Sequence, residues 1–271
     1  MDIRFAMRSI IEGIQEHVKE QGFEKVVIGV SGGIDSALVA TLAQMALGAA
    51  NVHCLLMPSK YSALESQIWG ETLAKNLKCD FDVFPIQVIV DSYKWVVDPV
   101  LENIDRSLTE ENLQARIRGN ILMAYANYNN TLVFATGNKS EAMVGYCTLY
   151  GDTIGSIAPI AELYKTEVYE VARYINRNNE IIPKEIIDRE PTAELSPGQK
   201  DADTLPPYPV LDLILQSYEG DWHVGALRST LNLVGSSTLA VTPEIITAVL
   251  ARIKKNKFKA AQSAPALKWR K

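Results

Sequence analysis

The sequence has little of several things, and each shortage narrows the reading. Its three cysteines, Cys54, Cys79 and Cys147, are odd in number, far apart and outside any CxxC pattern, so neither a disulfide framework nor a zinc site is indicated. A reducing compartment, the cytoplasm, is the expected location. His17, His53 and His223 stand alone, without metal-ligand spacing or a His/Asp/Ser constellation. No eighteen apolar residues run together, and Met1 to Ile11 interleaves Asp2, Arg4 and Arg8 with apolar side chains, unlike the unbroken apolar core of a signal peptide or the length of a membrane span. Basic charge is short as well: 27 Lys and Arg against 32 Asp and Glu give a net charge of −5. Such a chain has no global attraction for nucleic acid or an acidic membrane, and any polyanion site must be local. There is no internal repeat and no low-complexity tract.

What is present is apolar material, 47% of 271 residues, enough for one sizeable core, and a single domain over 1–271 is the expectation. Ile3, Met7, Ile10, Ile11, Ile14 and Val18 recur at helical spacing before Gly22, which predicts an opening helix. The β-branched run 25–30 reads as a buried strand that passes through Ser31-Gly32-Gly33 into a helix over 36–47. A strand at 52–57, a helix over 62–77, a third apolar run around 81–90, a helix over 110–127, a strand at 131–135 and a helix over 165–176 continue the alternation. This pattern predicts an α/β fold, a doubly wound parallel sheet with helices on both faces, Rossmann-like in type. Pro183, Pro191, Pro197, Pro206, Pro207 and Pro209 mark a loop region about 182–209, of the length that serves as a functional lid. Helices over 211–218 and 243–255 and a basic tail at 254–259 close the chain.

The richest segment is Gly29-Val30-Ser31-Gly32-Gly33-Ile34-Asp35-Ser36. A strand that delivers two glycines to a helix N-terminus leaves backbone N–H groups pointing at an anion, with the positive end of the helix dipole behind them. Glycine allows the tight turn, and Ser31 and Ser36 add hydroxyl donors. Asp35 beside a phosphate cradle is repulsive unless a divalent cation bridges them, which points to Mg²⁺. The plainer reading makes Gly32-Gly33 an ordinary strand-to-helix turn and Asp35 a helix cap. The lysine of the common GxxxxGK[ST] loop is missing, which weakens transfer of a γ-phosphoryl group. SGGIDS resembles the SGGxDS signature of the ATP pyrophosphatase superfamily, whose members cleave ATP between its α and β phosphates. That superfamily also contains GMP synthetases and tRNA-modifying enzymes, so the loop leaves the acceptor open.

Further segments resemble the NAD synthetase family: Met57-Pro58-Ser59-Lys60-Tyr61-Ser62, Asn112-Leu113-Gln114-Ala115-Arg116-Ile117-Arg118-Gly119, Thr136-Gly137-Asn138-Lys139-Ser140-Glu141, Gly145-Tyr146-Cys147-Thr148-Leu149-Tyr150-Gly151-Asp152, Leu163-Tyr164-Lys165-Thr166 and Pro191-Thr192-Ala193-Glu194. The resemblance runs from about residue 10 to the C-terminus. It implies ATP on residues 29–36, with adenine near Leu56 and Met57 and further contacts from Thr136, Lys165 and Thr192. It implies Mg²⁺ between Asp35 and Glu141, with Asp35 and Lys165 as the catalytic pair, and deamido-NAD on Asn112, Arg116, Glu141 and Lys259. Without the family pattern, Arg116 and Arg118 read as solvated helix charges, Lys259 as a helix-end lysine and Glu141 as a first-turn glutamate. Cys147 reads as an inert thiol.

The implied reaction activates the nicotinate carboxylate of deamido-NAD as an acyl-adenylate, releasing pyrophosphate, and ammonia then displaces AMP. Asp152 is a candidate to assist ammonia. Leu149 and Ser156 stand where ammonia-using members commonly carry lysine and aspartate, so this part resembles the synthetase domain of glutamine-dependent enzymes. A chain starting at the synthetase leaves no room for their glutaminase, so free ammonia is the expected donor unless a separate glutaminase chain supplies it. The resemblance also implies a homodimer with helices near 110–127 at its interface, and no nucleic-acid or membrane partner. The competing readings are another ATP pyrophosphatase, such as a GMP synthetase-like amidotransferase, and a sensor that holds ATP without turning it over.

Overall fold

The computed structural model describes residues 1–101, 107–220 and 241–269; His223 lies outside the described residues. Four short strands, β1 (Val26–Gly29), β2 (Val52–Leu56), β3 (Asp80–Val83) and β4 (Leu132–Phe134), form one sheet in the order β3-β2-β1-β4. All pairings are parallel, with Val27 opposite both His53 and Val133. Parallel strands need crossover connections, and helices supply them. The first half alternates α1 (Ile3–Glu20), α2 (Ile34–Leu47) and α3 (Leu64–Leu77) with the strands, followed by α4 (Gln87–Leu101) and α5 (Leu108–Asn129) before β4. After β4 come α6 (Lys139–Val144), α7 (Lys165–Ile175), α8 (Lys184–Asp188), α9 (Tyr208–Glu219) and α10 (Pro243–Ala260).

The two-residue period of a strand sorts the core onto both faces. Val26 and Ile28 of β1 join α1, α2 and α7 through Ile10, Leu38 and Val168. Val27, between them, joins the opposite layer, where Val90 of α4 and Ile117, Leu122 and Ala126 of α5 pack. This is the doubly wound arrangement that the alternation predicts. Beside it, α6, α9 and α10 bury a separate cluster that includes Val144, Leu211, Ile214, Ile246 and Val249. Local chemistry fixes the helix starts: Asp2 accepts from the backbone N–H of Arg4 at 3.0 Å and Phe5 at 3.2 Å, and Thr242 accepts from Ile245 ahead of a first-turn proline.

Three expectations need correction. The apolar run around 81–90 is not one strand: β3 ends at Val83 and α4 begins at Gln87. Pro85 lacks the N–H a strand would use, and buried Ile86 and Val90 lie one helical turn apart. The region 182–209 is not continuous loop. It holds α8, anchored by buried Ile186 and Ile187, and a 3₁₀ turn at Asp201–Asp203, and α9 starts at Tyr208 because Pro209 fits the first turn, where a missing N–H costs nothing. The last helix runs on to Ala260, which places Lys259 inside it. Among the described residues no helix is long and apolar enough to cross a membrane.

Asp212 of α9 ties the added cluster to the sheet. Only 2% exposed, it accepts from the Thr166 backbone N–H at 2.8 Å and from the Ser140 hydroxyl. Ser140 in turn accepts from the Lys165 backbone N–H at 2.9 Å. One carboxylate thus satisfies the N-terminus of α7 and holds α6 against it, where the helix dipole favours negative charge. Burial pushes its carboxyl above the ordinary aspartate value, against these hydrogen bonds. Asp212→Ala strips the acceptor from both donors, and the expected loss is about 3 kcal/mol in urea denaturation. A loss below about 1 kcal/mol is incompatible with this pinning role.

Candidate active site

From β1 the chain moves to β2 on one side, while β4 adds on the other. The connections leaving the C-terminal ends of β1 and β4 therefore diverge, and a crevice opens between them, the usual ligand position in open parallel sheets. Two segments singled out in the sequence, 30–36 and 135–141, both leave the sheet here.

The first is the glycine loop. Gly32 has φ +81°, and a Cβ there would sit 2.3 Å from the backbone oxygen of Ser66 in α3, so only glycine lets the loop lie against that helix. Serines stitch the turn: the Ser31 N–H donates to Ser36 Oγ at 3.2 Å, Ser36 Oγ donates to the Gly33 carbonyl at 3.1 Å, and the Gly33 N–H donates to Ser31 Oγ at 3.2 Å. Gly33 precedes α2 with no side chain capping it. The first-turn N–H groups of α2 consequently keep their anion-binding capacity.

Asp35 does not cap its own helix. Its Oδ1 accepts from Asn138 Nδ2 at 2.9 Å and its Oδ2 pairs with the Lys165 ammonium. Glu141 does two things at once: Oε2 closes a capping box with the Asn138 backbone N–H, while Oε1 takes Lys165 Nζ at 3.1 Å. Lys165 is 3% exposed and lies 5.1 Å from the centre of the Tyr208 ring. Burial pulls its ammonium down, but Asp35 and Glu141 more than restore it, so it stays above the ordinary lysine value. Burial pushes the Glu141 carboxyl up to about 8, with Lys165 opposing and Asp35 and Asp201 adding.

These groups face a polar cavity of about 190 Å³ lined by Asp35, Glu141, Lys165 and Thr192. It adjoins a larger one of about 840 Å³ that holds Gly29, Met57, Asn112 and Lys259. Ser31, Thr136 and Asp152 line both. Lys259 reaches back to the carbonyls of Gly145 and Cys147 at 2.8 and 2.7 Å, and Asn112 accepts from Thr148 Oγ1 at 2.7 Å. Thr192 is turned to the Gln199 carbonyl at 2.6 Å. Asp152 accepts from the Thr148 N–H at 2.6 Å, and its partial desolvation at the cavity wall raises its carboxyl to about 6. Burial raises the Cys147 thiol to about 11, which agrees with an inert role. The structure thus gathers all the singled-out residues except Arg116, which is exposed, donates to the Leu149 carbonyl at 3.2 Å and lines neither cavity.

Sequence reasoning missed three members. Arg118, read as a solvated charge, lines the large cavity instead. Asn138 orients Asp35, and its spacing of three from Glu141 is a legible capping signal. Asp201 accepts from the hydroxyls of Tyr146 and Tyr208 at 3.0 and 2.7 Å, and no local pattern marks these partners. Gly32→Ala drives a methyl group into the Ser66 carbonyl and strains φ, so the expected cost is about 2 kcal/mol or more, read as a lowered Tm with weakened nucleotide binding. Wild-type behaviour on both counts is incompatible with close backbone packing at this loop.

A family model described as NAD synthase fits residues 6–263. The glutamine-dependent NAD(+) synthetase of Thermotoga maritima is 45% identical over 263 residues, 96% of this chain and 44% of its own length. Among solved structures, the NH3-dependent NAD synthetase from Campylobacter jejuni, in complex with the nitrate ion, is 32% identical with a TM-score of 0.74, over 96% of both chains. The glutamine-dependent NAD+ synthetase from Acinetobacter baumannii in complex with ADP is 33% identical with a TM-score of 0.67, over 97% of this chain and 47% of that one. This chain spans less than half the length of the curated relatives it matches. A family fit over nearly the whole sequence, together with a relative this similar along it, establishes that the chain belongs to the NAD synthase family.

Proposed function

We propose that this chain converts deamido-NAD to NAD by ATP-dependent amidation, with free ammonia as the nitrogen donor. The observation that carries the reading is the ammonium of Lys165 held between Asp35 and Glu141 beside an uncapped glycine-loop helix, where two adjoining cavities meet. A carboxylate does not react with ammonia because its leaving group is oxide, so it must first be given a better one. The nicotinate carboxylate attacks the α-phosphorus of ATP. Pyrophosphate leaves into the first-turn N–H groups of α2, and Lys165 supplies positive charge as the leaving oxygens become anionic. Ammonia then attacks the acyl carbon, its surplus proton is lost, and AMP departs.

Asp35 and Glu141 fit Mg²⁺: two hard carboxylate oxygens already converge on one cationic group, and substrate phosphates and water complete such sites. Bound there, Mg²⁺ supplies charge neutralisation to the leaving pyrophosphate. Among the described residues no cluster of three or more His, Cys, Asp or Glu competes for that role. Ammonia as donor is supported by the match to the Campylobacter enzyme over 96% of both chains. A separate glutaminase chain is the alternative supply. Protein mixed with ATP, Mg²⁺, deamido-NAD and either ammonium or glutamine should form NAD and AMP with ammonium alone. Asp35→Asn should lower kcat about a hundredfold or more. Absence of both products in the wild-type reaction refutes the reading.

The same reading includes a homodimer. Val88, Trp95, Val96 and Val100 of α4 are 77%, 81%, 63% and 79% exposed, and Tyr128 of the adjoining α5 is 89% exposed. An apolar stripe of this kind marks an association surface. Light scattering should give twice the chain mass for the wild type and a single chain mass for Trp95→Asp; a monomeric wild type at micromolar concentration rules the dimer out.

A further inference from the structure

Arg118 lines the large cavity and has no carboxylate paired with it among the described residues. It projects from α5, where Gly151 brings the following turn so close that a Cβ there would lie 2.8 Å from that of Ala115, so its backbone is firmly placed. Its Nε donates to the Met57 carbonyl at 2.9 Å, at the C-terminal end of β2. That bond fixes the guanidinium plane and leaves the two terminal nitrogens without a hydrogen-bond partner among the described residues. The acid whose charge acts on it is Glu194, which is committed to Ser66 at 2.9 Å and to Arg189. Arg118 is partly buried, and desolvation pulls it down to about 10. A desolvated arginine without a carboxylate partner is costly unless a bound anion answers it. Its planar fork suits phosphoryl oxygens better than a lysine would.

We propose that Arg118 binds a phosphate group of one of the two nucleotide substrates, on the Met57 side of the large cavity, away from the α2 N-terminus. This assignment rests on the proposed amidation reading for the identity of those nucleotides. The shared chemistry is a phosphate ester, and the source is either ATP or deamido-NAD. Both also contain adenosine, which provides the phosphate-free control.

The test is titration calorimetry of wild type, Arg118→Gln and Arg118→Lys with ATP, deamido-NAD and adenosine, after circular dichroism and Tm show that the variants fold. Arg118→Gln should weaken one phosphate-bearing ligand about 10- to 100-fold, with adenosine unchanged and Arg118→Lys intermediate. The ligand that weakens identifies the source. Equal weakening of adenosine means that Arg118 only braces the Met57 turn and overturns the proposal, as does unchanged binding of both nucleotides. A wild type that binds nucleotides without forming NAD refutes the amidation reading, whereas the phosphate-selective loss in Arg118→Gln stands or falls by itself.

Discussion

The structure depends on a single buried ammonium. Lys165 sits between carboxylates from two other segments, Asp35 in the first turn of α2 and Glu141 in the first turn of α6, and it begins α7 itself. Each carboxylate is placed where a helix dipole favours negative charge. Three helix N-termini consequently converge on one point, and their mutual repulsion is relieved by the two acids. Removing the lysine would leave two carboxylates facing each other at low dielectric, an arrangement that costs several kcal/mol. With both carboxyls ionised the triad carries a charge of −1, and because burial raises Glu141 to about 8, an added cation favours that ionised form.

Holding the lysine still requires a scaffold that reaches far from it. The Lys165 backbone N–H is received by Ser140, which is received by Asp212, and the Tyr208 ring lies beside the ammonium. Asp212 and Tyr208 both come from α9, whose apolar face packs with α6 and α10 apart from the sheet. The added cluster therefore serves as the rear wall of the site. Its polar members are the groups that fix the orientation of Lys165.

What was legible in the sequence follows the range of the interactions. Strand, glycine pair, aspartate and serines within 29–36 are neighbours in the chain, and each is needed by the local turn, so pattern and chemistry agree. Alternating apolar runs gave both faces of the sheet because one β1 residue in two joins each layer. The run around 81–90 misled because apolar content does not distinguish a strand from a helix, and the break at Pro85 decides it. Asp201, Tyr208 and Asp212 were illegible for a different reason. Their partners lie 7 to 72 residues away, and no periodicity encodes such pairings. The arginines show the same limit more sharply. Arg116 and Arg118 differ by two positions, a rotation of roughly 200° on a helix, so one is exposed and the other enters the cavity. Only the packing of α5 on the sheet decides which.

The two adjoining cavities give the proposed chemistry a direction. Polyphosphate is most strongly held where backbone N–H groups and Lys165 concentrate positive potential, in the smaller polar space. The dinucleotide, larger and only partly charged, needs the larger one. In the proposed reaction the carboxylate and α-phosphorus meet where the spaces join, among Ser31, Thr136, Tyr146, Asp152, Ala193 and Glu194. In that proposal a leaving group drawn toward the α2 N-terminus moves away from the junction, where Asp152 is one of the titratable groups left beside the acyl carbon. The raised carboxyl there, close to neutrality in its titration, is suited to receiving the proton that ammonia sheds on becoming an amide.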